Sequence, residues 1–366
     1  MYSLRQALHG QVGISLFYYL PLPSLSVGIF RALKTVGCWH TLWKLTEDRI
    51  LGRVRRKVSL PRGSELVAGI GDDCAVLRVP PDHDALVTTD FSLEGVHFRR
   101  EWHPAESVGH RCLARGLSDI AAMGGEPIAA FVSLALPRDL PQSWVNGFSK
   151  GLLKLADSVG VSLAGGDTAQ SPHGILADVI VLGSAPKGKA ILRSGARVGD
   201  RIYVSGELGG SAATLDRLRS SAKHKLNPDH FPQHFWPRPR LGLGRILRER
   251  GLASAMIDVS DGLSTDLTHI CEESGVGSEV LAEAIPRASI GKHLHEVDLQ
   301  FALHGGEDYE LLFTVPANHQ LPSRLGGVPV TEIGFITRNK KIILKNTDGE
   351  KSRLEAKGWE HFKSRK

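Results

Sequence analysis

Short apolar runs alternate with stretches of helical spacing along most of this 366-residue chain, and glycine or aspartate closes many of the runs. Apolar positions three and four apart define one helix face, whereas short uninterrupted apolar runs fit buried strands. The segment 46–58 is therefore expected to be a helix, with Glu47 and Asp48 in its first turn and Ile50, Leu51 and Val54 on one face. Strands are expected at 75–79 and 85–89, a helix at 107–123, a strand at 131–136, a helix at 143–159, and strands at 162–164 and 175–183. Pro186-Lys187-Gly188 then interrupts the chain, which puts a boundary near residue 185. Beyond it the pattern predicts strands at 202–205, 257–259, 311–315 and 341–344, and helices at 211–219, 241–250 and 263–274. Both parts mix helix with strand, so the fold class is α+β or α/β, in two domains expected to span 46–185 and 186–366.

Residues 1–45 break this pattern. From 6 to 30 there is no Lys, Arg, Asp or Glu, a length that invites a membrane-span or signal-peptide reading. Prolines, glycines and serines interrupt it, and no small-residue cleavage site follows. It is expected to be a disordered extension or the product of a start codon placed too far upstream.

Composition narrows the class. The 42% hydrophobic and 23% charged content is that of a globular chain. Of the +6 net charge, residues 1–66 contribute ten Lys/Arg against three Asp/Glu, leaving 35 basic and 36 acidic residues elsewhere. A nucleic-acid surface would need that basic excess in the folded part, so no nucleic-acid partner is expected. Cys38, Cys74, Cys112 and Cys271 are far apart and include no Cys-x-x-Cys pair, which fits reduced thiols in a cytoplasmic protein. Cys74 is expected to be a small buried residue at a strand start.

Seven aspartates carry the chemistry: Asp72 and Asp73 in Gly-Ile-Gly-Asp-Asp, Asp90 after Thr88-Thr89, Asp119 after Leu117-Ser118, Asp167 after Gly165-Gly166, and Asp258 and Asp261 in Asp-Val-Ser-Asp-Gly. Each has a plainer explanation: Gly-Asp-Asp suits a turn, and Ser260 or Asp261 could cap the following helix. Asp119, inside an apolar stretch, is an expensive charge unless partnered. Acidic groups at several loop ends, if they converge, repel one another unless hard cations neutralise them, and such cations favour carboxylates together with phosphates. The one loop with Walker spacing, residues 183–190, has Ala190 where a Ser or Thr should reach the metal, and is read as a turn.

These segments, with Glu94-Gly95-Val96-His97-Phe98, Arg193-Ser194-Gly195-Ala196, Gly305-Gly306-Glu307-Asp308-Tyr309-Glu310-Leu311 and Gly358-Trp359-Glu360-His361-Phe362, resemble the thiamine-monophosphate kinase family. The double-Asp and Gly-Gly-Asp elements are shared with the wider aminoimidazole-ribotide synthetase-like superfamily. The resemblance implies a two-domain fold whose N-terminal sheet is used for dimerisation, with a C-terminal α/β domain and a cytoplasmic homodimer. It implies ATP-dependent phosphorylation of thiamine monophosphate to thiamine diphosphate, with several Mg²⁺ ions, ATP as co-substrate and a possible role for K⁺. Asp73, Thr88, Thr89, Asp90, Asp119, Asp167, Asp258 and Asp261 would hold metal. Gly166, Asp167, Arg193 and Ser260 would contact ATP, and His97, Glu307 and Trp359 the thiamine phosphate. No side chain is expected to act as a general base.

Gly116 departs from the family's usual Asn before Leu-Ser-Asp, and Thr88 from its usual Ser. Other readings stay open on the sequence: a superfamily synthetase acting on another acceptor, a non-catalytic nucleotide-binding protein, or a membrane-associated protein resting on residues 10–30 alone.

Overall fold

The computed structural model describes residues 65–70, 74–220, 226–360 and 362; the extension 1–45, the expected helix at 46–58 and Asp73 lie outside them. The first sheet comprises β1 (His83–Leu93), β2 (Glu126–Pro137), β3 (Ser162–Ser171) and β4 (Leu176–Pro186). Its order is β1-β4-β2-β3, and β2–β3 is its parallel pair. Period-2 alternation divides β4: Ala177, Val179 and Val181 are buried, whereas Asp178, Ile180 and Leu182 are half-buried on the other face. The buried side packs with Leu113 and Leu117 of α1 (Ala105–Ala122) and Phe148 and Leu152 of α2 (Gln142–Val159). The two helices touch backbone to backbone. A Cβ at Gly109 would lie 1.9 Å from the Phe148 carbonyl oxygen, and one at Gly151 1.8 Å from that of Glu106.

The second sheet is built from β5 (Arg201–Ser205), β6 (Ala255–Asp258), β7 (Gly277–Leu281), β8 (Leu311–Val315), β9 (Val328–Thr337), β10 (Ile342–Lys345) and β11 (Lys351–Arg353). The order is β11-β10-β7-β9-β5-β8-β6, antiparallel except for β7–β10, and short strand Arg324–Leu325 adds to β9. Helices α3 (Gly210–Ser220), α4 (Leu241–Glu249), α5 (Leu263–Ser274) and α6 (Leu299–His304) accompany it. Strands β7 and β9 escaped the sequence pattern. Pro329 and Gly334 make β9 read as a loop, yet Gly334 sits at a ladder irregularity where a Cβ would lie 2.1 Å from the Glu279 carbonyl oxygen. A shared cluster joins the halves: Ala121 and Ala122 at the end of α1 pack with Leu243, Leu247, Met256 and Phe313. Among the described residues no helix is long and apolar enough to cross a membrane.

Candidate active site

Strand β1 carries Thr88, Thr89 and Asp90 in succession, so their side chains alternate between faces. Thr88 Oγ1 donates to Asp119 Oδ2 on α1. Thr89 turns to the other face and donates to Asp178 Oδ1 at 2.8 Å. Asp90 lies beside Asp119 and pushes against it electrostatically; burial first, then Asp119, raises its carboxyl to about 7, with Arg115 opposing the rise. One residue before Asp119, Ser118 Oγ donates at 2.7 Å to Asp258 Oδ2 at the end of β6. Asp258 is pushed to about 7 by burial and by Asp119. Burial likewise raises Asp119 itself, against the Thr88 hydrogen bond. Three carboxylates from β1, α1 and β6 are thus gathered where their charges oppose one another. Hard oxygen donors under mutual repulsion, with a threonine hydroxyl alongside, are the donor set a divalent cation such as Mg²⁺ takes.

The Asp258–Asp261 loop is held from beneath. Asp266 Oδ2 accepts the backbone N–H groups of Ser260, Asp261 and Gly262 at 3.1, 3.2 and 3.0 Å. This corrects the expected cap: Gly262 is the N-cap of α5 with no side-chain bond, and Asp266 in the first turn binds the loop instead. Asp266 is raised well above the ordinary range by burial, then by Asp258 and Asp261. Asp261, Asp266 and His269 bring ligand atoms within 4.8 Å of one another. Above the loop, Glu307 N and Tyr309 N donate to the carbonyls of Ser260 and Val259 at 2.8 and 2.9 Å, and Trp359 N to that of Asp261 at 3.0 Å. The close approach requires glycine at 358, since a Cβ there would lie 2.1 Å from the Asp261 carbonyl oxygen.

The acidic residues of the 305–311 segment have separate partners. Glu307 takes Arg111 Nη2 on Oε2 at 2.6 Å and Arg115 Nη2 on Oε1. Burial opposes its charge, but the two guanidiniums hold its carboxyl well below the usual range. Asp308 accepts from Gly209 N at 2.7 Å and Ser211 N at 3.3 Å, at the start of α3. Glu310 pairs with Arg240, whose Nε is 2.7 Å from Oε2.

A cleft of about 1110 Å³ opens over these groups. Thr89, Asp90, His97, Asp119, Asp258, Ser260, Asp261, Glu307 and Trp359 all line it, so most of the sequence-derived candidates converge. His97 accepts from Leu93 N on Nδ1 at 3.0 Å, in the tight loop after β1. Arg193 is exposed, and its charge is felt by both Asp119 and Asp258. Gly166 and Asp167 stand apart, on the edge strand separated from β1 by β4 and β2. The Gly165-Gly166-Asp167 segment is also no strand end: it lies inside β3, where a Gly166 Cβ would meet the Val132 carbonyl oxygen at 2.0 Å. Cys74 is exposed, against expectation, because the ladder beside it is only two residues long. Sequence reasoning missed Arg111, Arg115, Ser118, Asp178 and Asp266. The signal for the arginines was present: two charges four apart in an apolar helix demand buried partners.

Comparison with known proteins identifies the family. The AIR synthase related protein N-terminal domain matches residues 71–185, and the corresponding C-terminal domain 197–345. Thiamine-monophosphate kinase of Escherichia coli (strain K12) is 39% identical over 303 residues, 80% of this chain and 91% of that protein. The chain belongs to the thiamine-monophosphate kinase family. It is an ATP-dependent kinase, with two AIR-synthase-like domains. The Bacillus subtilis (strain 168) thiamine-monophosphate kinase is 37% identical over 311 residues, 82% of this chain and 95% of its own. The crystal structure of the family member from Stenotrophomonas maltophilia K279a superposes with a TM-score of 0.70 at 35% identity, covering 84% of this chain and 98% of that one. A structure of AaThiL complexed with AMPPCP and TMP gives 0.68 at 31% identity, covering 86% and 95%.

Proposed function

We propose that the chain transfers the γ-phosphoryl group of ATP to the phosphate of thiamine monophosphate, giving thiamine diphosphate and ADP. The observation that carries this reading is the convergence of Asp90, Asp119 and Asp258 on one cleft that His97, Glu307 and Trp359 also line. The bound analogue and TMP in the AaThiL structure support the same substrate pair. Thr88, Thr89, Asp90, Asp119, Asp258 and Asp261 would hold Mg²⁺, joined by Asp73 and Asp167 on the strength of their motifs. Cations bound there would offset the repulsion between two polyanionic phosphates.

The acceptor phosphate has a second pKa of about 6 and is already a nucleophile at neutral pH, so no side chain must remove a proton. The chain's own work is positioning. Arg193 and Ser260 would orient ATP, and the Trp359 ring offers a face to the flat cationic heterocycle of thiamine. Transfer is direct, with no phosphorylated side chain. The domains are taken as 46–185 and 186–366, and two copies would pair through the open face of the first sheet. On that face Val87 is 66% and Phe91 54% exposed, beside half-buried Ile180 and Leu182.

The purified full-length protein, supplied with ATP, Mg²⁺ and thiamine monophosphate, should form thiamine diphosphate and ADP in equal amounts. Absence of that product across a range of Mg²⁺ and K⁺ concentrations would refute the reading, and a trapped phospho-aspartate or phospho-histidine would refute direct transfer.

A further inference from the structure

Glu307 lines the cleft with both carboxylate oxygens already in ion pairs, to Arg111 and Arg115 one helical turn apart on α1. The guanidiniums lie behind it, with side chains 5% and 9% exposed against 23% for Glu307. Arg115 is anchored again by Nη1 donating to the Phe91 carbonyl at 3.1 Å. Arg111 Nη1 lies 2.9 Å from His103 Nε2 and 3.2 Å from His234 Nε2. Those two ring nitrogens are 2.9 Å apart, and Ser211 Oγ is 2.9 Å from His234 Nδ1. Burial first and Arg111 second hold both imidazoles neutral, so they brace the arginine without adding charge. The backbone gives a further sign of constraint: Glu307 and Tyr309 have φ of +66° and +52°, a costly region for residues with a Cβ.

Two cations on one anion leave this wall without net negative charge. We infer that Arg111 and Arg115 are positioning residues that hold Glu307 as a fixed, charge-neutralised acceptor, so that the wall selects its ligand by a hydrogen bond and shape, not by attracting a cationic ring. This rests on the reading of the cleft as the thiamine monophosphate site. A carboxylate oxygen keeps a further lone pair after one ion pair, enough to accept an N–H from the substrate. Attraction for the thiazolium charge then falls to an aromatic face such as Trp359.

The test compares kcat/KM for thiamine monophosphate with that for its neutral thiophene isostere, in the full-length protein and in Arg111 and Arg115 variants. Arg111→Met and Arg115→Met should shift the ratio toward the cationic substrate by about threefold or more, the scale of one partly screened charge. Arg111→Lys and Arg115→Lys keep the charge but lose the fork geometry. They should raise KM for both acceptor substrates alike, with the ratio and the KM for ATP unchanged, which provides a readout if the Met variants do not fold. A ratio unmoved in folded Met variants, a ratio shift in the Lys variants, or an equal rise in KM for ATP overturns the inference. If the unaltered protein fails to phosphorylate thiamine monophosphate, the underlying reading falls as well.

Discussion

Gly116 shows how one residue is fixed by what lies across from it. A Cβ there would sit 2.6 Å from Val181 Cγ2, so the usual family Asn cannot enter unless the Val181 side chain gives way. Gly116→Asn should destabilise the protein by about 1–3 kcal/mol in denaturant unfolding, and Val181→Ala should recover part of the loss. His103 is legible only by its surroundings. Its imidazole is lowered to about 3, whereas an unfolded chain would protonate it near ~6.5. Below ~6.5 the unfolded state takes up a proton that the native state refuses, so stability falls as the pH drops from ~6.5 toward 3. His103→Gln should flatten that acid limb in melts followed across pH. In the same way Asp258→Asn removes one of three opposed carboxylates. With EDTA it should raise stability by roughly 1 kcal/mol, while the stabilisation that Mg²⁺ gives and kcat both decrease.

Elements were legible wherever local periodicity and burial agreed. α5 begins and ends where the pattern placed it, and β8 likewise, because α5 keeps one buried face with Leu263, Leu267 and Ile270 and β8 is buried throughout. β9 was missed since its proline and glycine answer to neighbouring strands, not to local preference. Between elements, the loop carrying Arg193 depends on one hydroxyl. Ser274 Oγ accepts from Gly195 N and Ala196 N at 3.1 Å each and donates to the Arg193 carbonyl at 3.0 Å. Ser274→Ala should release the loop and raise the KM for ATP about fivefold, corresponding to ~1 kcal/mol, with a smaller effect on the KM for thiamine monophosphate. Equal changes in both constants would detach Ser274 from the ATP side of the cleft.

Across the whole molecule, α1 is the axis. Ser107, Arg111, Arg115 and Ser118 form one polar line along this helix, and each reaches a partner beyond residue 230. That line holds the two sheets in the relation that makes the cleft. On the opposite face of the first sheet, Val87→Glu should convert the dimer proposed above to monomer in sedimentation, since a charge would be buried against an apolar copy. An unchanged sedimentation coefficient would place any self-association elsewhere.

By itself the sequence determined which residues could bear phosphate chemistry, where the long helices and most strands run, and, by motif order, the family. Those properties are local: spacing along the chain sets the face a side chain occupies, and motif residues keep their neighbours. Tertiary structure alone decided that Thr88 and Asp90 share a face with Asp119 while Thr89 does not share their partner, and that Asp266, not Ser260 or Asp261, binds the loop before α5. It also decided that Glu307 is matched by two arginines almost two hundred residues away. Such pairings follow from burial, because a charge removed from water takes whichever partner the packing brings within reach.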